Sequence, residues 1–71
     1  GGNGSIHTTV EIFDTMGRMV KTLWNDDMTS GPQILSWDGR DDNDSAVASG
    51  TYLARVKNSD DVQSVKMMLA K

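Results

Sequence analysis

Residues 8–24, TTVEIFDTMGRMVKTLW, decide the fold of this chain. Thr8, Val10 and Ile12 fall on one face of an extended segment and Thr9 and Glu11 on the other, the period of two expected of a half-buried strand. Asp14, Thr15, Met16 and Gly17 then form a turn: Asp14 can accept from backbone amides and Gly17 can take a positive φ. RMVKTLW at 18–24 returns as the second arm of a hairpin. Its core candidates, Val20 and Leu23, have opposite parity, so a bulge or twist is expected between them.

Downstream, NDDMTSGP at 25–32 reads as a loop punctuated by Gly31-Pro32. QILSW at 33–37 predicts a strand with Leu35 and Trp37 on one face. TYLARVK at 51–57 predicts another, with Tyr52, Ala54 and Val56 inward and Leu53 and Arg55 outward. NSDD at 58–61 turns the chain, and VQSVKMML at 62–69 puts Val65, Met67 and Leu69 on one face. No helical period, internal repeat or low-complexity segment interrupts this pattern. Five or six short strands with turns every eight to twelve residues predict an all-β fold, a small antiparallel β-sandwich.

Composition narrows the function. The chain has 71 residues, enough for one domain, and no cysteine, so no disulfide or thiolate–metal staple is available. Seven basic and ten acidic side chains leave a net charge of −3, with the cations spread singly, which argues against nucleic acid as a partner. There is no apolar run long enough to span a membrane and no signal peptide. GGNGS at residues 1–5 reads as a linker or an expression scar, leaving 6–71 as the module, a fragment of something longer.

Taken together, VEIFDTMGRMVKTL, SGPQILSWDGRDDNDSAVASGTYLARV and VKMMLAK resemble two related groups of bacterial modules. One is the type A C-terminal sorting domain of the type IX secretion system. The other is the immunoglobulin-like domain named after the flagellar hook-capping protein. The resemblance covers residues 8–71, and its most specific part is Trp37-Asp38-Gly39-Arg40-Asp41 with Val47, Ser49-Gly50 and Tyr52. It implies a small antiparallel immunoglobulin-like β-sandwich of about 5–7 strands, in which Gly17, Arg18, Trp37, Asp38, Gly39, Asp41, Gly50 and Tyr52 form the structural turn motif. It also implies that the C-terminal strand, through Lys66, Met67, Met68, Leu69 and Lys71, is what an outer-membrane secretion translocon recognises. The parent protein would then be exported, passing through the periplasm before secretion or display at the cell surface. Where the family places glycine in the acidic turn this chain has Asp44, which tolerates the left-handed region better than most non-glycine residues. The family's additional first strand is missing or reduced to residues 4–7.

The aspartate-rich segment 38–44 is the feature most open to a chemical reading. In the structural reading, Asp38 and Asp41 bond backbone amides and hold a long connection closed. In the sharper reading, Asp38, Asp41, Asn43 and Asp44 contribute oxygens to Ca²⁺, although their spacing departs from the EF-hand loop and no glutamate follows Glu11. Catalysis is not expected: the carboxylates share one loop, and the lone His7 lies in a frayed N-terminal stretch. Trp24 and Phe13, at strand ends with outward parity, are candidates for an exposed aromatic patch that contacts sugar. The expected function is therefore a non-catalytic C-terminal sorting module without cofactor. The alternatives are a structural spacer packed beside a neighbouring hydrolase domain and a carbohydrate-binding module.

Overall fold

The computed structural model describes residues 5–29 and 34–70. Four strands follow one another along the chain: β1 (Ser5–Asp14), β2 (Met19–Thr29), β3 (Gly50–Asn58) and β4 (Val62–Leu69). They form one antiparallel sheet in the order β2-β1-β3-β4. No helix among the described residues is long and apolar enough to cross a membrane.

The alternation read from β1 is what the sheet buries. Thr8, Val10 and Ile12 are all buried, and Tyr52 of β3 completes the core. The Thr8 hydroxyl donates to the Ile6 carbonyl at 3.1 Å, so its burial leaves no unpaired polar group. The expected bulge is present, and it is double. The β1–β2 register slips between Val10 and Glu11, where Leu23 is the extra residue, and again between Ile12 and Phe13, where Val20 is. Two bulges explain how residues of opposite parity share one strand.

Four expectations are corrected. The predicted strand at 33–37 does not form: residues 34–38 run without a ladder partner, and Gln33 lies outside the described residues. The segment covers the sheet instead, with Leu35 and Trp37 lining an apolar hollow of about 330 Å³ over Val10, Ile12, Leu23 and Val56. The strand count is therefore four and the described residues make a single sheet, fewer than the 5–7 strands expected of the sandwich. Conversely, residues 25–29, read as loop, continue β2, because pairing with Ser5–Thr9 satisfies their backbone whatever their side chains. That same pairing places His7 inside β1 rather than in a frayed end, opposite Asp27, with its Nε2 2.9 Å from Asn25 Oδ1.

Candidate functional site

The β1–β2 turn is built by Asp14. Its Oδ1 accepts from the Met16 and Arg18 amides, both at 2.9 Å, and its Oδ2 accepts from Arg18 Nε at 3.0 Å. These donors, the Arg18 amide foremost, together hold the Asp14 carboxyl below its ordinary range against desolvation, which opposes them more strongly than the Met16 amide or the Arg18 side-chain hydrogen bond alone lowers it. Gly17 sits at φ 83°, a conformation that costs glycine little.

The acidic loop is closed on itself in the same way. Asp38 Oδ1 accepts from the Arg40 amide at 3.1 Å, and Asp41 Oδ1 accepts from the amides of Asn43 and Ser45 at 2.9 and 3.0 Å. Arg40 bridges to Ala46, and its Nη1 donates to the Asp44 carbonyl at 3.0 Å. Asp44 takes φ 63°, the left-handed conformation expected where the family has glycine. Among the described residues no three acidic or histidine side chains converge on a point that could hold a metal ion. Asp38, Asp41, Asn43 and Asp44 are brought into one loop, and the contacts of Asp38 and Asp41 are those of a turn.

One clasp was not read from the sequence. Asp42 donates its amide to the Val20 carbonyl at 3.2 Å, and its Oδ1 accepts from the Thr22 amide at 3.1 Å. The loop thereby docks on the outer edge of β2, at the bulged residue. An aspartate five residues past the strand predicted at 33–37 and nine before the one at 51–57 carries no sequence signal for a contact of that kind. The loop is held from the other side by Trp37, whose Nε1 donates to the Arg40 carbonyl at 2.9 Å and whose ring meets Tyr52 edge-on at 5.0 Å between centroids. Gly39 is buried at φ 75°, and Gly50 begins β3.

Trp24 and Phe13 do not form one patch. Register places Trp24 opposite Val10, on the face that carries the core, and Phe13 opposite Leu53, on the other face. Phe13 instead packs under Arg55, whose guanidinium carbon lies 4.6 Å from the ring centroid while Nη2 donates to Glu11 Oε1 at 2.8 Å.

The C-terminal strand has the most distinctive position. β4 is an edge strand, paired with β3 from Gly50↔Leu69 to Lys57↔Val62 without a register break. Met67 and Leu69 are half-buried; Lys66 and Met68 are exposed, Met68 at 71%. Lys71 lies outside the described residues. Apolar groups are exposed on both faces of this strand. Val65 stands opposite Ala54, on the core-bearing face, while Val62 stands opposite Lys57 and Met68 opposite Thr51, on the other.

No curated protein and no solved structure matches the chain. The family model described as the FlgD Ig-like domain matches residues 3–61, which takes in β1 to β3 and the acidic loop and stops short of β4. With that span covering most of its length, the chain belongs to the FlgD Ig-like domain family.

Proposed function

We propose that the chain is a non-catalytic accessory module of a larger exported bacterial protein and that it acts as a type IX sorting signal. In this reading it folds in the periplasm, and the outer-membrane translocon reads its C-terminal strand. The observation that carries this is the placement of β4: a sheet edge presenting Lys66 and Met68 to solvent, next to half-buried Met67 and Leu69. A receptor can add a strand to such an edge, drawing affinity from the backbone and specificity from alternate side chains. The acidic loop then serves the scaffold, consistent with carboxylates turned onto backbone amides.

The test is secretion of a reporter in a bacterium with the type IX machinery. The reporter carries an ordinary signal peptide and residues 6–71 at its C-terminus, and a control lacks residues 66–71. Export of the full fusion with periplasmic retention of the control supports the reading. Retention of both, with the domain folded, rejects it.

A second reading has its own support. Ile34 is 93% exposed and Leu35 37%, beside the apolar hollow over Val10 and Ile12. A spacer packed against a neighbouring domain would cover these side chains and supply the second layer of a sandwich. A neighbour-dependent loss of Trp37 solvent quenching in the parent protein would favour it over sorting.

A further inference from the structure

The two edges of the sheet are not equivalent. The β2 edge is bulged twice, carries Asp26 and Asp27, and is covered at Val20 and Thr22 by Asp42. These are the devices that keep an edge from pairing with another chain. Among the described residues the β4 edge has neither a bulge nor a cover. Its register is unbroken, it contains no proline, its one charge is Lys66, and among the described residues nothing pairs with its outer side. Val62 and Met68 on one face and Val65 on the other are each more than half exposed. Apolar groups on both faces of an unpaired edge give an added strand cross-strand partners above and below the sheet.

We propose that β4 pairs antiparallel with β4 of a second copy of this chain, making one continuous sheet across a two-fold axis at Val65. The inference stands on β4 alone and does not depend on the sorting reading. Symmetry selects the register. A two-fold axis normal to the sheet keeps each face continuous, so opposed residues must share a face and the axis must pass through a residue. Two registers overlap almost the whole strand. An axis at Lys66 sets two lysines directly opposite one another, which is destabilising. An axis at Val65 sets Val65 against Val65 and Gln63 against Met67 on the core-bearing face. On the other face it sets Val62 against Met68 and Lys66 against Ser64. Both exposed apolar groups of the outer face are thereby matched, and the lysines are kept apart. The antiparallel arrangement also turns Asp60 and Asp61, before one strand, toward the half of the partner strand that carries Lys66. Because the β2 edge is blocked, growth stops at two copies.

The absence of cysteine makes a direct test possible. Across the proposed axis the two Val65 Cα atoms are about 4.5–5.5 Å apart, within reach of a disulfide, whereas the two Val62 positions are about 20 Å apart. The full chain should sediment at twice its mass at high concentration and dissociate on dilution. Val65→Cys should cross-link to a dimer under mild oxidation at least tenfold faster than Val62→Cys. Val65→Lys sets like charges face to face on the axis and should be monomeric, with an unchanged β circular-dichroism spectrum. A second variant, Ser64→Glu, places a carboxylate opposite each Lys66 and should tighten the dimer several-fold. A chain that stays monomeric at every concentration overturns the proposal. So does equal cross-linking at the two cysteine positions, or growth into assemblies beyond two copies.

Discussion

The ring of Trp37 stands edge-on to the ring of Tyr52, 5.0 Å between centroids at an interplanar angle of 74°, and joins the unpaired segment 34–38 to the sheet beneath it. Tyr52 is buried, and its hydroxyl donates to the Ala48 carbonyl at 2.6 Å, so this one side chain holds both ends of the long connection. Tyr52→Phe should lower stability by about 1 kcal/mol, the net worth of one hydrogen bond. Trp37→Ala removes a half-buried indole and should cost about 2–3 kcal/mol, below the range for a fully buried one. Urea unfolding followed by circular dichroism measures both; equal costs would mean that the ring contact contributes nothing beyond the hydroxyl.

Asp44 pays for a left-handed backbone with little in return. It is 85% exposed, and its carboxylate lies 3.9 Å from Arg40 Nε, a contact of small worth at the surface. Asp44→Gly should therefore leave stability unchanged or raise it by up to about 1 kcal/mol. Asp44→Val, β-branched, should lower it by about 1–2 kcal/mol. A glycine variant clearly less stable than the parent would assign Asp44 a role that its contacts do not carry.

The Asp14 carboxyl titrates below its ordinary range because the Arg18 amide, the Met16 amide and the Arg18 guanidinium all favour its ionised form. A depressed folded-state pKa stabilises the fold above the unfolded-state value, and that contribution is lost as pH falls through the folded-state value. Stability should thus decline on the acid side of the ordinary carboxylate range. The decline should be shallower in Asp14→Asn, which keeps an acceptor without the proton linkage. Parallel acid limbs in the two proteins would assign the decline to other carboxylates.

Glu11 is the acceptor for Arg55 across the β1–β3 seam, and Arg55 Nε is buried without a hydrogen-bond partner. Glu11→Ala leaves that half-buried cation with only the Phe13 ring beneath it and should cost about 1–2 kcal/mol. Glu11→Gln preserves the geometry and should cost less. A double-mutant cycle with Arg55→Met isolates the pair; a coupling near zero would show that Phe13 packing alone orients the arginine.

Much of this fold was legible because its buried face is encoded by simple alternation. Thr8, Val10, Ile12, Tyr52 and Ala54 could be placed by parity, and the clash between Val20 and Leu23 disclosed a bulge. Asp14, Asp38 and Asp41 were legible because short polar side chains bond their own turns. What escaped reading were features with no local pattern. Asn25-Asp26-Asp27 looks like a loop, yet an edge strand is held by its backbone and is often charged. QILSW looks like a strand, yet its described residues 34–37 have no ladder partner and lie across the sheet instead. Asp42 reaches β2 through tertiary geometry alone. At the candidate site, sequence could nominate Lys66 to Leu69, but only the strand order made β4 an edge.

The strand order also decides how the module answers mechanical load. The start of β1, the end of β3 and the start of β4 share one end of the sheet, while Leu69 lies beside Gly50 at the opposite end. Tension applied between residues 5 and 69 therefore runs along the strands and across the β1–β3 and β3–β4 ladders in shear. Inter-strand hydrogen bonds are perpendicular to the strands, so a sheared ladder must break many bonds together instead of unzipping one by one. A motor that draws the chain through a pore by one end works against the strongest direction of this sheet, whereas one that passes it folded never meets that resistance.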